Sequence, residues 1–176
     1  MNLFGFPYCE KDIELDKISI KYSLESYWLS NTQTSYQSDT TATSATISYI
    51  TQLLQEFTNE FVDIPHYVNI YHIWATEYGH KDFQEPHLHG GSEISFVIFK
   101  EISNTDNGLV FYHPAYDLIS MNQFWTVFFQ DNIQSCTAQV GQIAIFPSFI
   151  KHMVKPTNIK RVTYSGNATI LPEKNK

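Results

Sequence analysis

After Pro65 the sequence becomes a series of short runs rich in Val, Ile, Phe, Tyr and Trp, separated by Gly, Asn, Asp and Pro. This texture predicts strands over Tyr67 to Tyr78, Glu93 to Glu101, Gly108 to His113, Gln123 to Gln130, Ser135 to Val140, Gln142 to Phe146, His152 to Lys155 and Arg161 to Ile170. Strands this short, with no helical pattern between them, argue for an antiparallel sandwich or barrel and against a parallel sheet. The aromatic share of 15% suits a chain rich in strands.

The first third reads differently. Asp12 to Leu29 mixes alternation with polar interruptions and predicts one or two outer strands. Asn31 to Thr46 is dominated by Ser, Thr, Asn and Gln and reads as a loop. Ile47, Ile50, Leu54, Phe57 and Phe61 then recur at helical spacing, with Ser44 or Thr46 as the cap, so a supporting helix should lay its apolar stripe on a sheet. The 176 residues suit a single domain over 1–176, with 1–63 supplying strands, polar loop and helix and 64–172 the β core.

Eleven basic and 18 acidic residues leave a net charge of −7, and no Lys/Arg cluster is present to neutralise a duplex. A long nucleic acid is therefore excluded as a partner, though a nucleobase as substrate is not. No apolar run approaches the length of a membrane span, and the opening residues lack a signal-peptide pattern. The expectation is a cytoplasmic protein in which Cys9 and Cys136 are thiols.

Seven histidines are present, and two, His87 and His89, alternate in EPHLHGGSE. Residues i and i+2 of a strand share a face, so both imidazoles can address one point, as metal ligands do. A His-x-His pair alone is weak evidence; His152, opening the strand after Pro147, is the third partner that could close a site. Among the remaining histidines, His113 is placed at a strand end where it could line a substrate mouth, and His66, His72 and His80 read as surface or packing residues. Trp125 and Phe128 read as core, and Asn167 as a hydrogen-bonding group in the pocket.

Ten of the 11 basic residues are Lys, and Arg161 is the single Arg. Its planar fork matches a carboxylate in two hydrogen bonds where Lys offers a point charge, so a chain so poor in Arg has reason to keep one for geometry. Thr163 shares its strand face and adds a hydroxyl.

The order Tyr78, EPHLH, GQIAIFPSFIKH, then Arg161 and Thr163 resembles the double-stranded β-helix core of the Fe(II)- and 2-oxoglutarate-dependent oxygenases. It is most similar to the small bacterial and phage group of 2OG-Fe(II) oxygenases and to the prolyl-hydroxylase-like branch, over roughly Trp74 to Ile170. The resemblance implies a mainly β jelly roll with one or two supporting N-terminal helices, and a hydroxylase using Fe(II), 2-oxoglutarate and O2. By the same resemblance His87, His89 and His152 would hold the metal, and Arg161, Thr163 and Tyr78 would receive the far carboxylate of 2-oxoglutarate. Succinate and CO2 would be the coproducts. His89 stands where the family usually has Asp or Glu, which leaves the ligand set open. Glu93, four residues on and of the same strand parity, is the reserve ligand, in a spacing that resembles the first cupin motif.

Two other readings remain: a cupin-like metal enzyme that does not use 2-oxoglutarate, and a non-enzymatic jelly-roll binding module. The substrate is open among a peptidyl side chain, a nucleobase and a small metabolite, and so is homo-oligomer formation. Because histidine ligates only when neutral, metal affinity is expected to fall below about pH 6.5.

Overall fold

The computed structural model describes residues 2–26, 32–102, 108–128, 131–156, 158 and 160–173. In chain order, β1 (Asn2–Leu3), β2 (Phe6–Pro7), β3 (Cys9–Asp12), β4 (Ile20–Tyr22), β5 (Glu25–Ser26), β6 (Gln33–Thr34) and β7 (Thr40–Ala42) precede helix α1 (Ser44–Thr58). Then follow β8 (His66–Tyr78), β9 (Gln84–His87), β10 (Ile94–Ile102), β11 (Leu109–Tyr112), short helices α2 (Tyr116–Ser120) and α3 (Gln123–Phe128), β12 (Ile133–Ser135), β13 (Gln142–Pro147), β14 (His152–Val154) and β15 (Arg161–Pro172).

The larger sheet runs in the order β3, β13, β10, β15, β8, β6, β5, and the smaller in the order β12, β11, β14, β9. Every neighbouring pair in both sheets is antiparallel. Val97 and Phe99 of β10 and Ala144 and Phe146 of β13 meet Leu109 and Phe111 of β11 and Val154 of β14 in one apolar cluster between the sheets. The alternate residues Ile94, Phe96, Ile98, Ile143 and Ile145 point to the opposite face, where Ile50, Leu54 and Phe57 of α1 cover them. Burial on both faces explains why β10 and β13 are apolar without alternation. Each fully buried Leu, Ile or Phe contributes roughly 1.5–3 kcal/mol. Truncating Phe99, which has no exposed surface, should cost roughly 3–5 kcal/mol.

The architecture is the expected mainly β jelly roll with a supporting helix, and the differences lie in the polar and aromatic-rich segments. Asn31 to Thr46 contains β6 and β7, recruited by backbone pairing to β8 and β4; their Thr residues favour strand, but neither segment carries the apolar alternation that marks one in the sequence. The outer-strand reading of Asp12 to Leu29 becomes a helical turn at Leu15–Lys17 followed by β4 and β5; 27–31 lie outside the described residues. The cap of α1 is Thr43, whose hydroxyl accepts the Thr46 N–H, not Ser44 or Thr46. Thr46 instead turns its hydroxyl to the carbonyl of Lys17 at 3.0 Å.

The largest correction is at Gln123 to Gln130. Its composition predicts a strand, yet Gln123–Phe128 is helical, because Asn122 Oδ1 accepts the N–H groups of Phe124 and Trp125 and starts a helix there. Trp125 and Phe128 are 47% and 67% exposed, so neither belongs to the core. Positions 129 and 130 lie outside the described residues. The strand expected over Ser135 to Val140 forms earlier, at Ile133–Ser135, where β11 offers a partner; beyond it the chain turns toward Gly141, which takes φ +82°.

Candidate active site

Three imidazoles meet where the smaller sheet closes over the larger. His87 ends β9 and His152 opens β14, and they are direct partners across that antiparallel pair, with ring centroids 4.3 Å apart. His89 lies in the following turn, held by its N–H donating to the Ser148 carbonyl at 3.0 Å. Its ring is nearly parallel to that of His152, and the two Nε2 atoms are 3.3 Å apart. A ligand nitrogen from each of the three lies within 4.8 Å of the others.

The side chains are oriented as well as gathered. His87 Nδ1 faces the Glu85 carbonyl at 2.8 Å and His152 Nδ1 faces the Ile150 carbonyl at 2.9 Å. A carbonyl can only accept, so each Nδ1 carries the proton and each Nε2 keeps its lone pair toward the centre. Two ligands at right angles around a cation, each at about 2.1 Å, stand about 3 Å apart, close to the observed Nε2 separation. The donor set therefore fits a metal ion. Among the described residues no carboxylate joins this cluster. Glu93, the reserve ligand by sequence, is exposed, and its carboxylate accepts the Ile170 N–H at 3.1 Å.

Burial sets the electrostatics. His152, 4% exposed between the rings of Phe111 and Phe146, has its pKa held well below the ordinary histidine value by desolvation, with His87 adding repulsion. Desolvation lowers His87 also, and lowers His89 to about 4. In each the neutral, ligating form is favoured to a lower pH than in a free imidazole. The expected loss of affinity below about pH 6.5 accordingly moves lower.

Arg161 opens β15 on the same cavity, which His87, His89, His152, Tyr78, Gln84 and Ser165 also line. It is 2% exposed, and its guanidinium carbon lies 4.3 Å from the centre of the Tyr78 ring. Tyr78 donates its hydroxyl to Gln84 Oε1 at 3.0 Å, and burial raises its pKa against the lowering effect of Arg161. Thr163 is buried on the same strand face but does not line the cavity. Asn167, two further steps along that face, places its amide nitrogen 3.2 Å from His89 Nδ1.

The other histidines separate by environment. His66 is packed, with Nε2 2.8 Å from the Thr58 hydroxyl, and His80 is exposed. His72 is half-buried against Trp74, whose ring in turn lies 5.5 Å from His89. His113 follows β11 and packs edge-on against Phe4. Sequence reasoning missed Gln84, Ser95 and Ser148. Ser95 carries a readable signal, a lone hydroxyl inside the apolar run Ile94 to Phe99.

Residues 72–167, more than half the chain, match the family described as "Putative 2OG-Fe(II) oxygenase". The chain belongs to the 2OG-Fe(II) oxygenases. Among solved structures, the oxygenase is similar to a Burkholderia pseudomallei oxidoreductase of the 2OG-Fe(II) oxygenase family (TM-score 0.56, 10% identity, covering 88% of this chain and 76% of that one). It is also similar to a prolyl-4-hydroxylase from Pseudomonas putida (TM-score 0.55, 13% identity, 97% and 94%). A third is the viral collagen prolyl hydroxylase from Paramecium bursaria Chlorella virus-1, in complex with 2OG (TM-score 0.55, 10% identity, 79% and 78%). At these identities the likeness is one of fold. No curated protein matches the sequence. The oxygenase is thus an enzyme of the non-haem iron class, whose cofactors are Fe(II), 2-oxoglutarate and O2. Among the described residues, no helix is long and apolar enough to cross a membrane.

Proposed function

We propose that this oxygenase hydroxylates its substrate, with His87, His89 and His152 as the three protein ligands of Fe(II). In the same proposal Arg161 is the anchor for the far carboxylate of 2-oxoglutarate, Tyr78 shapes that end of the pocket, and Thr163 supports it from the next position on the same strand face. The observation that carries this reading is that one cavity is lined by all three imidazoles and by the only guanidinium in the chain. Bound together, Fe(II), 2-oxoglutarate and O2 supply an oxidant strong enough to hydroxylate a C–H bond, releasing succinate and CO2.

The protein's part is binding, orientation and exclusion of water. The Glu85 and Ile150 carbonyls fix two imidazoles with Nε2 inward. Tyr78 under the guanidinium restricts its swing, so the fork meets a carboxylate in one orientation at little further entropic cost. Leu109, Phe146 and Val154 close the cavity with apolar surface, which strengthens a charge pair formed inside it. A second recess, lined by Thr34, Tyr36, Trp74, Glu85 and Leu88, reaches His87 and His89 from outside and is the approach assigned here to the substrate. Among the described residues, none of those lining it is Lys or Arg, which suits a substrate without phosphate groups. Hydroxylation as the outcome is favoured by the two prolyl hydroxylases among the similar folds. Cys9 and Cys136 as thiols suit a cytoplasmic setting.

The test is anaerobic. Adding Fe(II) and then 2-oxoglutarate to the protein should produce a weak visible charge-transfer band, saturating at one equivalent. Metal binding without that band on addition of 2-oxoglutarate would overturn the cosubstrate assignment.

A further inference from the structure

His89 differs from the other two imidazoles in what holds its Nδ1. His87 and His152 use backbone carbonyls, which can only accept, whereas His89 faces the Asn167 side-chain amide at 3.2 Å. Asn167 is 4% exposed and continues inward: its Oδ1 accepts the Ser95 hydroxyl at 2.9 Å, and Ser95 Oγ lies 2.8 Å from Ser148 Oγ. Ser95 and Ser148 are 2% and 0% exposed, and Ser95 is the direct cross-strand partner of Asn167. Ser148 also takes the His89 N–H on its carbonyl and donates its own N–H to the Glu93 carbonyl. The chain therefore grips His89 by backbone and ring together.

The chain of groups can be hydrogen-bonded in either of two directions. In one, Asn167 Nδ2 donates to His89 Nδ1, so the neutral ring carries its proton on Nε2 and offers it to His152 Nε2, 3.3 Å away. Ser95 then donates to Asn167 Oδ1, and Ser148 to Ser95. In the other, a half-turn of the amide exchanges its O and N without moving the heavy-atom positions. His89 Nδ1–H then donates to Asn167 Oδ1, Asn167 Nδ2 donates to Ser95, and Ser95 donates to Ser148. This second arrangement frees the Nε2 lone pair. The ring stays neutral in both, so one proton leaves Nε2, one arrives at Nδ1, and none is gained.

We propose that Asn167, Ser95 and Ser148 are positioning residues that set the tautomer of His89, reversing the direction of their hydrogen bonds when a metal ion enters. This rests on the reading of His87, His89 and His152 as the metal site. Partners of this kind around a ligating histidine are worth about 10–100-fold in metal affinity.

The tautomer is read directly from the 15N shifts and proton couplings of the His89 ring in wild-type protein, metal-free and then loaded with Zn(II). The proton should sit on Nε2 without metal and on Nδ1 with it. Calorimetric titration with Co(II) supplies the second readout: Asn167→Leu should bind about 10–100-fold more weakly. Asn167→Asp, which can only accept, should stay within a few-fold of wild type and carry the His89 proton on Nδ1 even without metal. If Asn167→Leu does not fold, Ser95→Ala replaces it, with at least a three-fold loss expected. An Nδ1 proton already present in metal-free wild type would overturn the reversal, and unchanged Co(II) affinity in Asn167→Leu or its Ser95→Ala substitute would overturn the positioning role. Failure of wild type to bind Co(II) or Zn(II) would instead remove the metal-site reading.

Discussion

Arg161 pairs directly with Tyr78 across β15 and β8, and its guanidinium lies 4.3 Å from the centre of that tyrosine's ring. A buried cation held against an aromatic face is restricted in its movement by the ring, and Arg161 lines the cavity that the three imidazoles share. Replacing it by Lys keeps the charge and loses both the stacking and the fork. For Arg161→Lys the 2-oxoglutarate concentration for half-maximal turnover should rise at least ten-fold while Co(II) affinity stays within two-fold. An unchanged 2-oxoglutarate requirement would mean that the cosubstrate does not reach Arg161.

His152 is the most buried of the three proposed ligands and the only one on the β14 side. His152→Ala removes a donor and leaves a space against Phe111 and Phe146. Calorimetry should show Co(II) affinity lower by at least 100-fold, and differential scanning should show no rise in melting temperature on adding Co(II). Retention of stoichiometric metal would take His152 out of the ligand set.

The lowered pKa values of His87, His89 and His152 make stability depend on pH in a definite direction. Unfolded histidines take up protons around pH 6.5, whereas buried His89 resists until about 4. Between these values the unfolded chain binds more protons, so this contribution is present above about pH 6.5 and is lost as pH falls toward 4. Urea midpoints of the metal-free protein should therefore drop from pH 7 to pH 5, and drop less in His89→Gln. Equal drops in both would show that His89 is not shielded from protons.

Gly166 sits in β15 opposite Phe96. A Cβ there would stand 2.7 Å from Phe96 Cε1 and 2.8 Å from the His72 carbonyl oxygen, so a carbonyl and a core ring would both have to give way. The clash outweighs the roughly 0.4–1 kcal/mol that Gly→Ala recovers from the unfolded chain. Gly166→Ala should lose about 1–3 kcal/mol in denaturant unfolding, and a gain would contradict the close packing of this strand.

Much of this was legible in the residues. Alternation and turn residues located β8, β10, β11, β13, β14 and β15, because each is long or apolar enough for burial to decide its state. The His-x-His spacing and the single Arg pointed to the cavity because few side chains can perform those roles. Failures came where local hydrogen bonding outweighed composition. Asn122 capped a helix over residues whose types favour strand, and exposure of Trp125 and Phe128 removed the burial that strand propensity presumes. Parity permitted Glu93 to face the metal, but the turn at 88–92 separates it from the His89 register, and its carboxylate meets Ile170 instead. The Asn167, Ser95 and Ser148 chain depends on cross-strand register, which no stretch of sequence displays by itself.

The central claim is that three imidazoles and one guanidinium serve a single cofactor site. An anaerobic crystal structure with Mn(II) and 2-oxoglutarate tests it most directly. The account predicts the ion on Nε2 of His87, His89 and His152, and the far carboxylate of 2-oxoglutarate in two hydrogen bonds to Arg161. An ion bound by fewer than three of these rings, or 2-oxoglutarate lying away from Arg161, would contradict it.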